Sequence, residues 1–286
     1  MLDCGKVTDT IYKRSVRKVI ERKVSGAVSQ GDAIRDISHF KSKSGNPIAV
    51  ATAVLSGDNL ASAGAVHLAV NRLATVGSRA ALVNIQIIVP EDLSEKSIKE
   101  LVGAAAESCE KLQIASVQAD VTAAAGLKEP MITVMASGES GSLFESEKAC
   151  ADQDIIMAGY TGGYGAAKLT FANEAELENH FNSVFLSPIL EADYTGDAIS
   201  TVKAVEAAAA AGVRTMYACG EGGVYSAVWE LAENAGLGAR IQLKKVPLKQ
   251  ETVEICDYFN ISPYQLLSVG AVLLTATHGQ KVLAEL

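Results

Sequence analysis

Aromatic residues are scarce in this sequence, at 5% of 286 residues with a single tryptophan. The apolar share is nonetheless 49%, mostly Ala, Val, Leu and Ile, which suits helices packed on sheets better than a β-sandwich. No CxxC pair occurs among the five scattered cysteines, Cys4, Cys109, Cys150, Cys219 and Cys256. That excludes the common zinc spacings and points to reduced thiols rather than a disulfide frame. The four histidines are equally dispersed and add no ligand pattern. Positive charge is in deficit, with a net charge of −8, which argues against a nucleic-acid surface, where Lys and Arg cluster. No apolar run approaches the roughly 18 residues of a membrane span; residues 81–89, the longest, are broken by Asn84 and Gln86. No signal-peptide core is evident at the start. A cytoplasmic protein without nucleic-acid or membrane partners is the expectation.

What is present alternates. Residues 10–24 pair Lys13, Arg14, Arg17, Lys18, Arg22 and Lys23 with Ile11, Val16, Val19 and Ile20, giving an amphipathic helix whose basic face is expected to be simply solvated. Residues 48–55 are short, apolar and β-branched and end in the turn signal Ser56-Gly57-Asp58-Asn59. A buried helix is expected over 61–73 and a strand over 80–89, stopped by Pro90. After the N-cap candidate Ser94, the spacing of Ile98, Leu101, Val102, Ala105, Cys109 and Leu112 predicts a helix with Cys109 in its core stripe. Strands follow at 114–121 and 131–136. The polar stretch 138–150 marks a domain boundary, giving domains over 1–140 and 150–286. The second half repeats the alternation: strand 155–158, the glycine-rich stretch 159–165, a candidate helix over 175–184 and an alanine-rich helix over 199–211. Then come strand 213–218, Gly220-Glu221-Gly222-Gly223, a helix over 224–235 stopped by Gly236, a helix over 251–258 and an apolar segment over 266–275. No internal repeat is evident.

Several segments carry a family resemblance. Residues 220–239, beginning Gly220-Glu221-Gly222-Gly223 and continuing through a helix to Ala235-Gly236-Leu237-Gly238, resemble the C-terminal domain of proteins related to aminoimidazole-ribonucleotide (AIR) synthase. Their hydrogenase-maturation (HypE-like) members open such a helix with Asp-Pro-Thr-Arg-Gly-Gly. Val246-Pro247, the segment Ile261-Ser262-Pro263-Tyr264 and the run from Gly270 to Leu274 are similar to further motifs of that branch. Residues 159–169 resemble its Gly-x-Ile-Gly-Asp-His-Gly segment. In the first half, residues 64–77, with Val70-Asn71-Arg72-Leu73-Ala74, resemble a buried helix ending in Val-Asn-Asp-Leu-Ala, and Asp120 falls where relatives have Gly-Gly-Asp-Thr. The resemblance covers nearly the whole chain. It implies the two-domain α+β and α/β fold called PurM-like: an N-terminal domain that forms a barrel with a second copy, hence a homodimer, and a C-terminal α/β domain.

The implied chemistry is ATP-dependent activation of a substrate oxygen, with Mg²⁺ held by aspartates. Mg²⁺ requires hard oxygen ligands to neutralise phosphate charge in a dry site, and most of these carboxylates have changed. Arg72 stands at the aspartate of Asn-Asp-Leu-Ala. It either grips a phosphate with its planar fork or makes a salt bridge where the metal once sat, and the salt bridge is favoured. Residues 51–53 lack the carboxylate of a Thr-Thr-Asp strand end, and Gly163-Tyr164 replaces Asp-His. Asp32 and Asp120 are candidate surviving acids, each also readable as an ordinary turn acid. The implied nucleotide-binding set is Asp32, Asn71, Arg72, Asp120, Gly222 and Gly223; ATP is the implied cofactor, and the lost carboxylates place Mg²⁺ in doubt.

The Gly220–Gly223 loop leads into a helix, a geometry that points backbone N–H groups at an anion, although glycines there also serve tight turning. An anion over Gly222 and Gly223 would require Glu221 to turn away or be neutralised by a cation that the sequence does not identify. Cys219 beside that helix invites a lowered thiol pKa, but no His neighbours it. The last ten residues contain no cysteine, whereas hydrogenase-maturation relatives carry a reacting group on a terminal one, so that self-modification is not expected. Three functions stay open. The first is an altered homologue binding a nucleotide or small phosphorylated ligand with weak or no ATP turnover. The second is an active ATP-dependent kinase or synthetase with rearranged ligands. The third is a non-catalytic structural partner.

Overall fold

A computed structural model describes residues 6–24, 36–43 and 45–285. Asp32 lies outside the described residues. The chain begins with helical segments α1 (Asp9–Tyr12), a π-helical turn (Lys13–Arg17) and α2 (Lys18–Lys23), none of which buries a residue. There follow β1 (Ile37–Lys41), β2 (Pro47–Ser56), α3 (Asn59–Thr75), β3 (Leu82–Val89), α4 (Glu95–Lys111), β4 (Ser116–Ala123) and β5 (Met131–Glu139). The second half holds β6 (Asp154–Ala158), α5 (Gly163–Ala172), α6 (Glu174–Glu178), α7 (Ser183–Leu190), α8 (Val202–Ala210), β7 (Thr215–Ala218) and α9 (Gly223–Ala235). It finishes with a 3₁₀ turn (Leu243–Lys245), α10 (Gln250–Tyr258), β8 (Val272–Ala276) and α11 (Gly279–Leu283).

The first five strands make one sheet in the order β1-β2-β5-β3-β4. Its pairs are antiparallel except β3–β4, which is parallel and needs the crossover that α4 supplies. Period-two alternation sends Ala49, Ala51, Ala53 and Leu55 of β2 to the helix-covered face, with Val83, Ile85 and Ile87 of β3 and Ile132, Val134 and Ala136 of β5. The opposite face leaves Val54, Met131 and Met135 exposed. Helix α3 is buried from Ala61 through Thr75, on all sides rather than along one stripe. Its Ala, Gly and Ser residues allow this close approach. Asp58 caps its start by accepting from the Leu60 and Ala61 N–H groups, and Ser94 caps α4 through the Ser97 N–H, as expected. Cys109 is a core residue.

The second sheet has three strands in the order β6-β8-β7, with β8 antiparallel to both neighbours. Strands β6 and β7 therefore run in the same direction, and each leads through a Gly-Gly turn into a helix. The single helix expected over 175–184 is instead split into α6 and α7. Asn182 accepts from the Phe185 N–H at 2.9 Å and starts a new helix there, the capping role in which a short polar side chain competes with helix continuation. Helix α3 ties the two halves together: Asn71 donates to the Ile199 carbonyl and accepts from the Thr201 N–H, both at 2.9 Å. Tyr164, at the start of α5, donates to the Leu60 carbonyl at 2.7 Å and fills the space that the missing side chain of Gly64 leaves.

Candidate functional site

The strongest concentration of buried charge lies where α3 meets β7 and α9. Arg72 is buried on α3, and its guanidinium is fully engaged on one edge. Nη1 donates to the Thr52 carbonyl at 2.7 Å, and Nη2 lies 2.6 Å from Glu221 Oε2 and 3.1 Å from Asp36 Oδ2. A Cβ at position 220 would stand 3.1 Å from Nη2, so Gly220 makes room for the guanidinium. The network continues through Lys6, which bridges Asp36 and Glu230, the latter at 3.3 Å. Glu230 in turn accepts from the Tyr217 hydroxyl. Two cations thus face three carboxylates, Asp36, Glu221 and Glu230. Burial pulls the Arg72 pKa down, but the Glu221 and Asp36 carboxylates outweigh it and hold the group above its ordinary value. Arg72 is charged at every accessible pH. Burial drives the Tyr217 hydroxyl well up, reinforced by Glu230, so it stays a neutral donor.

This arrangement identifies the cation beside Glu221 that the sequence left unnamed: it is Arg72. The same contacts decide the fit of a metal. Glu221 and Asp36 spend oxygens on the guanidinium, and a positive charge already occupies the space between them, so the residues present do not fit Mg²⁺. Among the described residues, no group of three or more His, Cys, Asp and Glu side chains is arranged to hold a metal ion.

The other candidates are scattered. Asn71 neighbours Arg72 in sequence, but both ends of its amide bind backbone of the second half. Asp120 lies on the edge strand β4, where Gln86 donates to it at 3.1 Å. Gly222 and Gly223 have left-handed φ of 76° and 61°, conformations that glycine adopts readily. The space beside Gly223 is taken: an added Cβ would lie 2.4 Å from the Tyr264 carbonyl oxygen and 2.8 Å from that of Leu266. Acceptor oxygens therefore crowd the helix start where an anion was expected. Cys219 lies beside the same helix start. Burial pushes its thiol up to about 12, and the residue is 1% exposed; desolvation outweighs the adjacent helix N-terminus.

The sequence reading missed a pairing of the two glycine turns. Gly162 before α5 and Gly222 before α9 share the left-handed conformation, with φ of 71° and 76°. Both turns flank the segment leading to β8: Ser268 Oγ accepts from the Gly162 N–H at 2.8 Å, and the Ser268 N–H donates to the Gly220 carbonyl at 3.1 Å. The common signal was Gly-Gly after a short strand, hidden by otherwise dissimilar residues.

Comparison with known proteins agrees with this architecture. Residues 162–284 match the family described as AIR synthase related protein, C-terminal domain. A putative hydrogenase expression/formation protein of Methanocaldococcus jannaschii is 23% identical over 214 residues, 73% of this chain and 60% of the relative. The chain thus spans less than two thirds of that relative's length. The solved structure of hydrogenase maturation protein HypE in complex with ATP superposes with a TM-score of 0.64 at 15% identity, covering 99% of this chain and 83% of that one. Thiamine monophosphate kinase from Aquifex aeolicus gives a TM-score of 0.67 at 18% identity, covering 93% and 88%. The alternation, the paired glycine turns and these matches lead to one assignment: residues 162–284 form a C-terminal domain of the AIR synthase related family, and the chain as a whole shares the fold of HypE and thiamine monophosphate kinase.

Proposed function

We propose that the chain is an altered HypE-like protein that binds a nucleotide or another small phosphorylated ligand with weak or no ATP turnover. The observation that carries this reading is the Arg72–Glu221–Asp36 ion cluster, which sits where the family resemblance would place a metal-binding aspartate. A covalently fixed cation can balance the carboxylates, but it offers no exchangeable coordination site to bridge two phosphates. The HypE structure solved with ATP supports retaining a nucleotide as the ligand to test. Asp120 remains a proposed ligand residue, and the domains are proposed as 1–140 and 150–286.

Calorimetry with ATP, with and without Mg²⁺, tests the reading alongside an ADP-release assay. ATP binding that Mg²⁺ barely changes, with little ADP formed, is the expected result. Tight Mg²⁺-dependent binding with turnover would establish the kinase or synthetase alternative instead. Absence of heat with every nucleotide would leave a structural partner protein. Arg72→Asp is expected to raise the Mg²⁺ dependence by returning a carboxylate to the cluster.

The protein is further proposed to act as a homodimer in the cytoplasm. The uncovered face of the first sheet, with Val54, Met131 and Met135 exposed, suits closure against the same face of a second copy. Such closure would complete a barrel and protect the sheet edges. Among the described residues, no helix is long and apolar enough to cross a membrane.

A further inference from the structure

We propose that an oxyanion, in the form of a phosphomonoester, binds in the cavity bounded by the starts of α5, α8 and α10. This cavity has a volume of about 330 Å³, and Gly163, Tyr164, Thr201 and Lys249 line it. Each of the three helices has eight or more residues, and each N-cap, Gly162, Thr201 and Lys249, lacks a side-chain cap hydrogen bond. Helix N-termini expose unpaired N–H groups at the positive end of the dipole, so three converging ones favour a negative group between them.

Independent observations point to a ligand. Thr201 is 2% exposed, and its Oγ1 has no hydrogen-bond partner among the described residues. A buried hydroxyl left unsatisfied costs about 1–3 kcal/mol, and an anion oxygen would accept its proton. Nothing stands within 4 Å of a Cβ added at Gly163, so the backbone there faces open space, in contrast to the crowded Gly223. In the first turn of α5 the Gly165 N–H donates to the Leu267 carbonyl, while the Gly163 and Tyr164 N–H groups have no such acceptor among the described residues. Lys249 supplies a full positive charge at the wall, its ammonium 5.0 Å from the centre of the Tyr160 ring. Ile189 and Val269 add apolar wall, which suits an organic ester more than a bare ion.

Two acids also line the cavity, Asp197 and Glu251. Asp197 pairs with Lys203 at 2.9 Å, and both side chains are about 80% exposed, so its charge is turned to solvent. Glu251 opposes an anion and is offset by the neighbouring Lys249. The inference rests on the reading that the chain takes a phosphorylated ligand, and it moves the phosphate seat from the α9 turn to the α5 turn.

Calorimetric titration with inorganic phosphate and with glycerol 3-phosphate, against glycerol as control, tests the site. The unmodified protein is expected to bind both anions saturably and the ester more tightly. Gly163→Leu, which projects a side chain into the open space, is expected to weaken binding at least tenfold. Thr201→Val, which removes only the hydroxyl at nearly constant shape, is expected to weaken it three- to tenfold, and Glu251→Gln to strengthen it. Should Gly163→Leu fail to fold, Thr201→Val and Glu251→Gln decide alone. Phosphate binding unchanged in these variants, or no saturable phosphate binding by the parent, overturns the inference. ATP binding that Gly163→Leu leaves intact overturns this site but not the proposed function. Phosphate binding abolished by Gly163→Leu in a protein that ignores nucleotides upholds the site and removes the nucleotide reading.

Discussion

Replacing Arg72 by Met removes a charge while keeping much of the side-chain volume. In the parent, one guanidinium nitrogen serves Glu221 at 2.6 Å and Asp36 at 3.1 Å, and the arginine side chain is 5% exposed. Deleting one partner of a buried pair costs about 3–5 kcal/mol, because the stranded charge keeps its desolvation penalty. The carboxylates here are 21% and 18% exposed, and Lys6 still faces Asp36, so water and the remaining cation recover part of that. A loss of about 2–3 kcal/mol is expected, read as a lowered urea midpoint at unchanged slope. Glu221→Gln in the same background should return part of the loss, giving a coupling of about 1–2 kcal/mol in a double-mutant cycle. An Arg72→Met protein within about 0.5 kcal/mol of the parent would refute the view that this cluster joins the two halves.

Three further outcomes are expected. Burial lowers the His67 pKa below its ordinary value, so the unfolded chain binds the extra proton first and stability is lost as pH falls below about 6.5; His67→Gln should flatten an acid-unfolding profile in that window. Val54→Lys together with Met135→Lys on the open sheet face should shift light-scattering mass from dimer to monomer with far-ultraviolet circular dichroism unchanged, and a monomeric parent would sink the dimer proposal. Exposed Cys150 should react with a thiol reagent at neutral pH, whereas Cys219, buried and pushed up to about 12, should react only on unfolding; mass spectrometry of labelled peptides separates the two.

Much of the fold was legible because single segments carried strong local signals. Residues 48–55 announced β2 as a short, apolar, β-branched run ending in a turn signal, and 80–89 announced β3 as a strand stopped by Pro90; Ser94 announced the start of α4, and Gly236 ended α9 with a left-handed φ of 68°. Strand β1 was not legible, because only Ile37 among its five residues is buried and its sequence, Ile-Ser-His-Phe-Lys, has no apolar rhythm. Helix α5 was hidden by the glycines that open it. At the candidate site, Arg72 could be singled out by the family resemblance, and a salt bridge was the favoured role. Its partners could not be read, since Asp36 and Glu221 lie 36 and 149 residues from it along the chain. Ionic partnership over such distances depends on how the two sheets are docked, and no local periodicity encodes that.

The roles of Arg72 and Glu221 make physical sense only together. Glu221 alone, in a glycine turn before a helix, would oppose any anion approaching the helix dipole. Arg72 alone would be an uncompensated cation within α3, a helix buried on all sides. Paired, each removes the other's penalty, and the sum is a closed contact between the first half of the chain and the second. A metal at such a junction can leave, exchange or bring phosphate oxygens with it, whereas a guanidinium tethered to α3 is always present and always charged. Its charge is already consumed by two carboxylates and its Nη1 by the Thr52 carbonyl, so little of it remains to attract a phosphate. If this protein does hold a phosphorylated ligand, the attraction must come from donors that have not been spent internally. The α5 turn is where such donors remain: the space over Gly163 is open, Thr201 keeps an unpartnered hydroxyl, and the starts of α8 and α10 face the same cavity.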